Sequence, residues 1–173
     1  RSRIRAGIRV APGLPQTLQE QRDHDRAGQE PQERADDVIA QAHAQGFRLG
    51  VGTAGDRHNI AFAMQHLAMA PAPQAIVGGD EGLPGKPEPA IFLEVARRLN
   101  VAPEHCVVFE DAPLGIEAAR RAGMRAVAVC TGHTADELAG PHVLAATRDY
   151  TGLSQAAWFT KLMENNNHDD AHA

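Results

Sequence analysis

Gly85-Lys86-Pro87-Glu88-Pro89 opens, and Val107-Val108-Phe109-Glu110-Asp111 anchors, the stretch on which the reading of this chain turns. Between them, Glu88 to Leu99 carries Ile91, Val95 and Leu99 along one stripe, the spacing of an amphipathic helix. Cys106 to Phe109 is wholly apolar, as strands covered on both faces are. After the acid pair, Leu114 to Ala122 has a second helical pattern, with Gly123 placed to cap it. Ala126 to Val129 is the next apolar strand.

The same alternation runs upstream. Asp36 and Asp37 precede a helical pattern at Val38, Ile39 and Ala42, where carboxylates suit the positive end of the helix dipole, and Gly46 stops it. Phe47, Leu49 and Val51 read as a strand leading into Gly52-Thr53-Ala54-Gly55. Ile60 to Ala70 is a short helix halted by Pro71 and Pro73, Ala75-Ile76-Val77 a short strand, and Gly78 to Pro84 a loop. A weaker strand lies at Val143 to Ala146. Short buried strands alternating with helices predict an α/β fold with a doubly wound parallel sheet. Such sheets bind ligands beyond the carboxyl ends of their strands, where Thr53, Lys86, Glu110 and Asp111 all fall. The division expected is an atypical N-terminal segment over 1–35, a core over 36–155 and a polar tail over 156–173.

The N-terminal segment fits the pattern poorly. Ile4, Ala6, Ile8 and Val10 alternate with arginines, as on an edge strand. Gln16 to Arg34 offers almost nothing to bury, a composition that predicts disorder.

Bulk properties narrow the function. A length of 173 residues suits one domain with a real core. The net charge of −5 argues against nucleic acid as a partner. No apolar run approaches the ~20 residues of a membrane span, and no signal peptide is evident. Two cysteines, Cys106 and Cys130, border apolar runs, the setting of reduced core thiols in a cytoplasmic protein. The chain opens on Arg rather than Met, as a fragment or a processed product would.

The chemistry is read from four positions. Glu110 and Asp111 emerge together at the ligand edge, where their repulsion would be relieved by a cation. Magnesium is the natural one, because it takes hard oxygen ligands and keeps phosphate in its shell. The alternative is an acid pair capping the next helix. Pro87 restricts Lys86 to extended backbone, so a held ammonium could neutralise charge during phosphoryl transfer, or it could be a solvated lysine. Thr53 and the amides after it, beginning with Ala54, could receive a phosphate at a helix N-terminus, or Thr53 could simply serve the turn. Gly50-Val51-Gly52-Thr53-Ala54-Gly55 also fits G-x-G-x-x-G, with Asp80 downstream. A dinucleotide site of that kind would leave Lys86 and the acid pair unexplained.

Taken together, these residues resemble the haloacid dehalogenase superfamily, on its beta-phosphoglucomutase-like phosphatase branch, from about Phe47 to Val129. Thr53 resembles the phosphoryl-binding second motif, with Asn59 shortly after. Lys86 in Gly-Lys-Pro-Glu-Pro resembles the third. Phe109-Glu110-Asp111-Ala112 with Gly115, Ala118-Ala119 and Ala122-Gly123-Met124 resembles the acidic, magnesium-binding fourth. The resemblance implies a Rossmann-like core and a Mg2+-dependent phosphatase or phosphomutase acting on a small phosphorylated metabolite. It implies catalytic roles for Lys86 and Thr53, phosphate binding by Thr53, Ala54 and Lys86, and magnesium binding by Asp111 and Glu110.

The family's first motif, Asp-x-Asp-Gly, supplies an aspartyl-phosphate nucleophile at the end of the central strand. Nothing in this sequence matches it. Asp23-His24-Asp25 has polar flanks that cannot bury a nucleophile, so none is assigned. The helical cap is missing too. The core is therefore expected to be incomplete, without its first strand unless Ile4 to Val10 fills the gap, a place its arginines suit less well than an edge, and the chain to be truncated or inactive. The alternative is a non-catalytic phosphate- or metal-binding module, working through a partner chain that supplies the missing strand.

Overall fold

The computed structural model describes residues 6–9, 38–66 and 71–150. Its centre is a six-stranded parallel sheet in the order β3-β2-β1-β4-β5-β6. The strands are β1 (Ala6–Arg9), β2 (Arg48–Gly52), β3 (Ala75–Val77), β4 (Cys106–Glu110), β5 (Arg125–Val129) and β6 (Val143–Thr147). Residues 38–44 form helix α1. The later helices are α2 (Arg57–His66), α3 (Ala90–Leu99) and α4 (Pro113–Arg121). The doubly wound parallel class read from the sequence is the one found.

The chain winds from β1 through β2 to β3 in one direction, then returns to β4 and continues outward to β6. Right-handed crossovers therefore put α3 and α4 on one face and α2 on the other. Residues of α3 and α4 do share one core, in which Phe92, Val95, Ala118, Ala119 and Met124 are all but fully buried. The reversal of direction lies at β1, so the ligand crevice belongs above its end, between β2 and β4.

Local chemistry sets the boundaries. Helix α3 buries Ile91, Phe92, Val95, Ala96 and Leu99 and stops at Asn100, which adopts a left-handed φ of 53°. Helix α4 starts on Pro113 in its first turn, where a missing N–H costs nothing. It ends before Gly123, whose φ of +72° few other residues accept. Gly50 lets α3 lie directly on bare strand, because a Cβ there would sit 2.4 Å from Val95 Cγ1.

Two expectations are corrected at the N-terminus. Residues 4–10 read as an edge strand, yet Ala6–Arg9 occupies the centre, paired in parallel with β2 on one side and β4 on the other. The central position is thus filled from within the chain, and the partner chain expected to supply a strand has no place to enter. Backbone pairing outweighs the alternation of arginines: with that position empty, β2 and β4 would each expose a row of buried N–H and C=O groups. What remains incomplete is the chemistry of the strand, since Ala6-Gly7-Ile8-Arg9 contains no acid. Asp23, Asp25, most of the segment where a cap was sought and the tail from residue 151 lie outside the described residues.

Both cysteines are free, Cys106 buried and Cys130 half-buried. Burial pushes the Cys106 thiol up to about 12, so almost no thiolate forms near neutrality. In the native protein at pH 8, a disulfide reagent is therefore expected to modify Cys130 well before Cys106. Mass spectrometry showing Cys106 modified first would contradict this packing.

Candidate active site

Four strand ends contribute to the carboxyl edge of the sheet. β2 delivers Thr53 and β4 delivers Glu110 and Asp111, two strand spacings apart, or about 10 Å. β1 lies between them. In register, Arg9 sits opposite Val51 and Phe109, one residue short of the level of Gly52 and Glu110. β5 adds the segment after Val129.

Glu110 and Lys86 form the inner part of the site. The Lys86 ammonium donates to Glu110 Oε2 at 2.9 Å, with the glutamate 2% exposed and the lysine side chain 14%. Burial raises the Glu110 carboxyl above the usual carboxylate range, against the pull of the Lys86 charge and its hydrogen bond. Lys86 is thus a held ammonium and not a solvated one. Its loop makes this possible: Pro87 and Pro89 flank Glu88, and the chain enters α3 directly. The ammonium also lies over the Phe92 ring, 5.0 Å from its centroid.

The other side of Glu110 is closed by α4. A Cβ on Gly115 would fall 2.0 Å from Glu110 Cδ and 2.3 Å from Oε1. The glycine in the first turn of α4 therefore makes the space into which the carboxylate is folded. Gly115, part of the stretch that resembles the acidic fourth motif, is required by this contact.

Asp111 is half-buried and is tied to β5. Thr131 Oγ1 donates to its Oδ2 at 3.3 Å, and His133 Nδ1 lies 3.1 Å from its carbonyl oxygen, which that nitrogen reaches as an N–H donor. The segment carrying them is fixed by Thr134, whose amide and hydroxyl both donate to Glu137, and by fully buried Leu138. Neither Thr131 nor His133 was singled out from the sequence. The available signal was their place directly beyond β5, the strand next to the acid-bearing one.

Thr53 closes β2, its amide donating to the Val77 carbonyl at 3.0 Å. Its Oγ1 accepts the Gly55 amide at 3.1 Å. The start of α2 already has an anion, because the amides of His58 and Asn59 donate to Asp56 Oδ1. The dinucleotide reading finds little here: Gly50 and Gly52 accommodate α3 side chains, and Asp80 pairs with Arg57 at 3.0 Å. Among the described residues, no three His, Cys, Asp or Glu side chains converge as a metal cluster. The structure therefore joins Lys86 to Glu110 by contact, and sets Asp111 and Thr53 at the same edge on either side of β1.

Comparison with known proteins gives this arrangement a context. The sequence profile of the haloacid dehalogenase-like hydrolases matches residues 9–123. The chain is 41% identical over 93 residues to fructose-1-phosphate phosphatase YqaB of Escherichia coli, covering 54% of this chain and 49% of that protein. It is 36% identical over 108 residues to validoxylamine A 7'-phosphate phosphatase of Streptomyces hygroscopicus, covering 62% and 51%. The chain thus spans about half the length of these relatives. Beta-phosphoglucomutase from Clostridium difficile shares the fold, with a TM-score of 0.63 at 24% identity over 80% of this chain and 57% of the other.

The contact between α4 and Glu110 yields a direct expectation. Gly115→Ala should displace the buried carboxylate and destabilise the protein by about 1–3 kcal/mol, the usual cost of overpacking, as read by urea unfolding. Unchanged stability would mean that Glu110 does not occupy this space.

Proposed function

The chain belongs to the haloacid dehalogenase-like hydrolases, and we propose that it falls on their beta-phosphoglucomutase-like branch. From that membership and the clamped Lys86 ammonium we propose that its site takes the phosphoryl group of a small phosphorylated metabolite, in the manner of a sugar phosphatase or phosphomutase. The observation that carries this reading is the Lys86–Glu110 pair at a parallel-sheet switch point. A lysine buried there with one acid is pre-set to meet an anion, and it spends no reorganisation when charge builds.

In this reading Lys86 stabilises negative charge on the phosphoryl oxygens. The Thr53 hydroxyl, oriented by the Gly55 amide, and the Ala54 amide hold the phosphoryl group from the β2 side. Magnesium would be held by Asp111 and Glu110, a donor set that fits an ion which binds through one or two carboxylates and otherwise keeps water and phosphate oxygens. When bound, it would withdraw charge from the transferring group. Asp111, steadied by Thr131 and His133, would offer the more available carboxylate, because Lys86 already holds Glu110 Oε2.

Transfer through an aspartyl-phosphate needs a nucleophilic carboxylate above β1, and residues 6–9 bring none. That observation favours a second reading, a module that binds phosphate and metal without turnover. The two are separated by p-nitrophenyl phosphate hydrolysis with magnesium, measured beside calorimetric binding of inorganic phosphate. The purified chain is expected to bind phosphate in a magnesium-dependent way, with affinity falling at least tenfold in Lys86→Ala and magnesium dependence lost in Asp111→Ala. Little or no hydrolysis is expected from the chain alone. Hydrolysis by the chain alone that is lost in Asp111→Ala would support the phosphatase over the module. Phosphate binding untouched by Lys86→Ala would contradict both.

A further inference from the structure

Phe92 belongs to the hydrophobic stripe of α3 and is fully buried, so its sequence position explains it as core. Its surroundings go further. One edge of the ring lies against the end of β2, where a Cβ on Gly52 would come within 3.3 Å of Phe92 Cδ1. Its face lies beneath the Lys86 ammonium at 5.0 Å from the centroid. Gly52 directly precedes Thr53, so one ring touches the strand end that presents the threonine and the lysine on the opposing loop.

Among the described residues the Lys86 ammonium pairs with one carboxylate, which holds it from one side. Lys86 has four rotatable side-chain bonds, and the Glu110 hydrogen bond at 2.9 Å fixes its tip without fixing the path of its stem. The negative face of an aromatic ring attracts a cation most strongly where water is excluded, and here the lysine side chain is 14% exposed. Leucine would fill much the same space but present no such face. We infer that Phe92 is a positioning residue for Lys86: its ring face and the Glu110 carboxylate together fix the ammonium against the carboxyl edge of the sheet, where an incoming phosphoryl group meets it. This rests on the phosphoryl reading above for what Lys86 binds, but not for how Lys86 is held.

The test must weaken the ring's electrostatics while keeping its shape. Mono-, di- and trifluorinated phenylalanines placed at position 92 of the full chain reduce the negative face stepwise with little change in packing. The same residues at position 47, a buried ring in the turn before β2, control for general effects on the core. Two quantities are read: the affinity for inorganic phosphate with magnesium, and the NMR resonances and order of the Lys86 ε-methylene group. Affinity is expected to weaken with each fluorine at position 92, by about threefold to tenfold across the series, while Lys86 loses order in step. The position 47 series should leave both unchanged. Phosphate affinity that stays flat across the position 92 series, in a chain that binds phosphate, overturns the inference. Lys86 order that follows the series in a chain that binds no phosphate would uphold the ring's hold on Lys86 and overturn the phosphoryl reading instead.

Discussion

The rest of the site depends on one buried ion pair, Lys86 with Glu110. A carboxylate 2% exposed is costly unless a partner and hydrogen bonds compensate it, and every neighbouring feature serves that compensation. The prolines around Glu88 bring Lys86 in. Gly115 leaves room for the carboxylate, and Phe92 underlies the ammonium. Because burial raises the Glu110 carboxyl, the folded state holds its proton longer than the unfolded chain does. Its contribution to stability is therefore greatest in acid and is lost as pH rises through the raised value.

Much of this was legible in the sequence. The stripe of α3, the apolar run of β4 and the glycine after α4 each follow from local physics: a 3.6-residue period, burial on both faces, and a left-handed cap. Lys86, Glu110, Asp111 and Thr53 could be placed at one sheet edge because each follows or faces a strand end. The pairing of Lys86 with Glu110 could not be read, since the two are 24 residues apart and only the sheet brings them together. Nor could the reason for Gly115, which is a contact, or the second task of Phe92, whose position in an apolar stripe already had a sufficient explanation. Thr131 and His133 fall in a loop without periodicity.

β1 was misjudged for an instructive reason. Arginines alternating with small apolar residues suggest a strand with one wet face, and that argument concerns side chains. The demand that decided its place is made by the backbones of β2 and β4, which need a parallel partner between them. The fold can be satisfied by a strand of modest composition, whereas the chemistry needs a particular acid at its end. Architecture and reactivity are thus separable in this chain.

The most direct test of this account is a double-mutant cycle on unfolding free energy with Lys86→Met, Glu110→Gln and the two combined. If the pair organises the site, Lys86→Met leaves an uncompensated buried carboxylate and should cost about 3–5 kcal/mol. Adding Glu110→Gln should then recover a large part of that loss. Single effects that simply add would show that the two groups do not depend on each other, and would contradict the account.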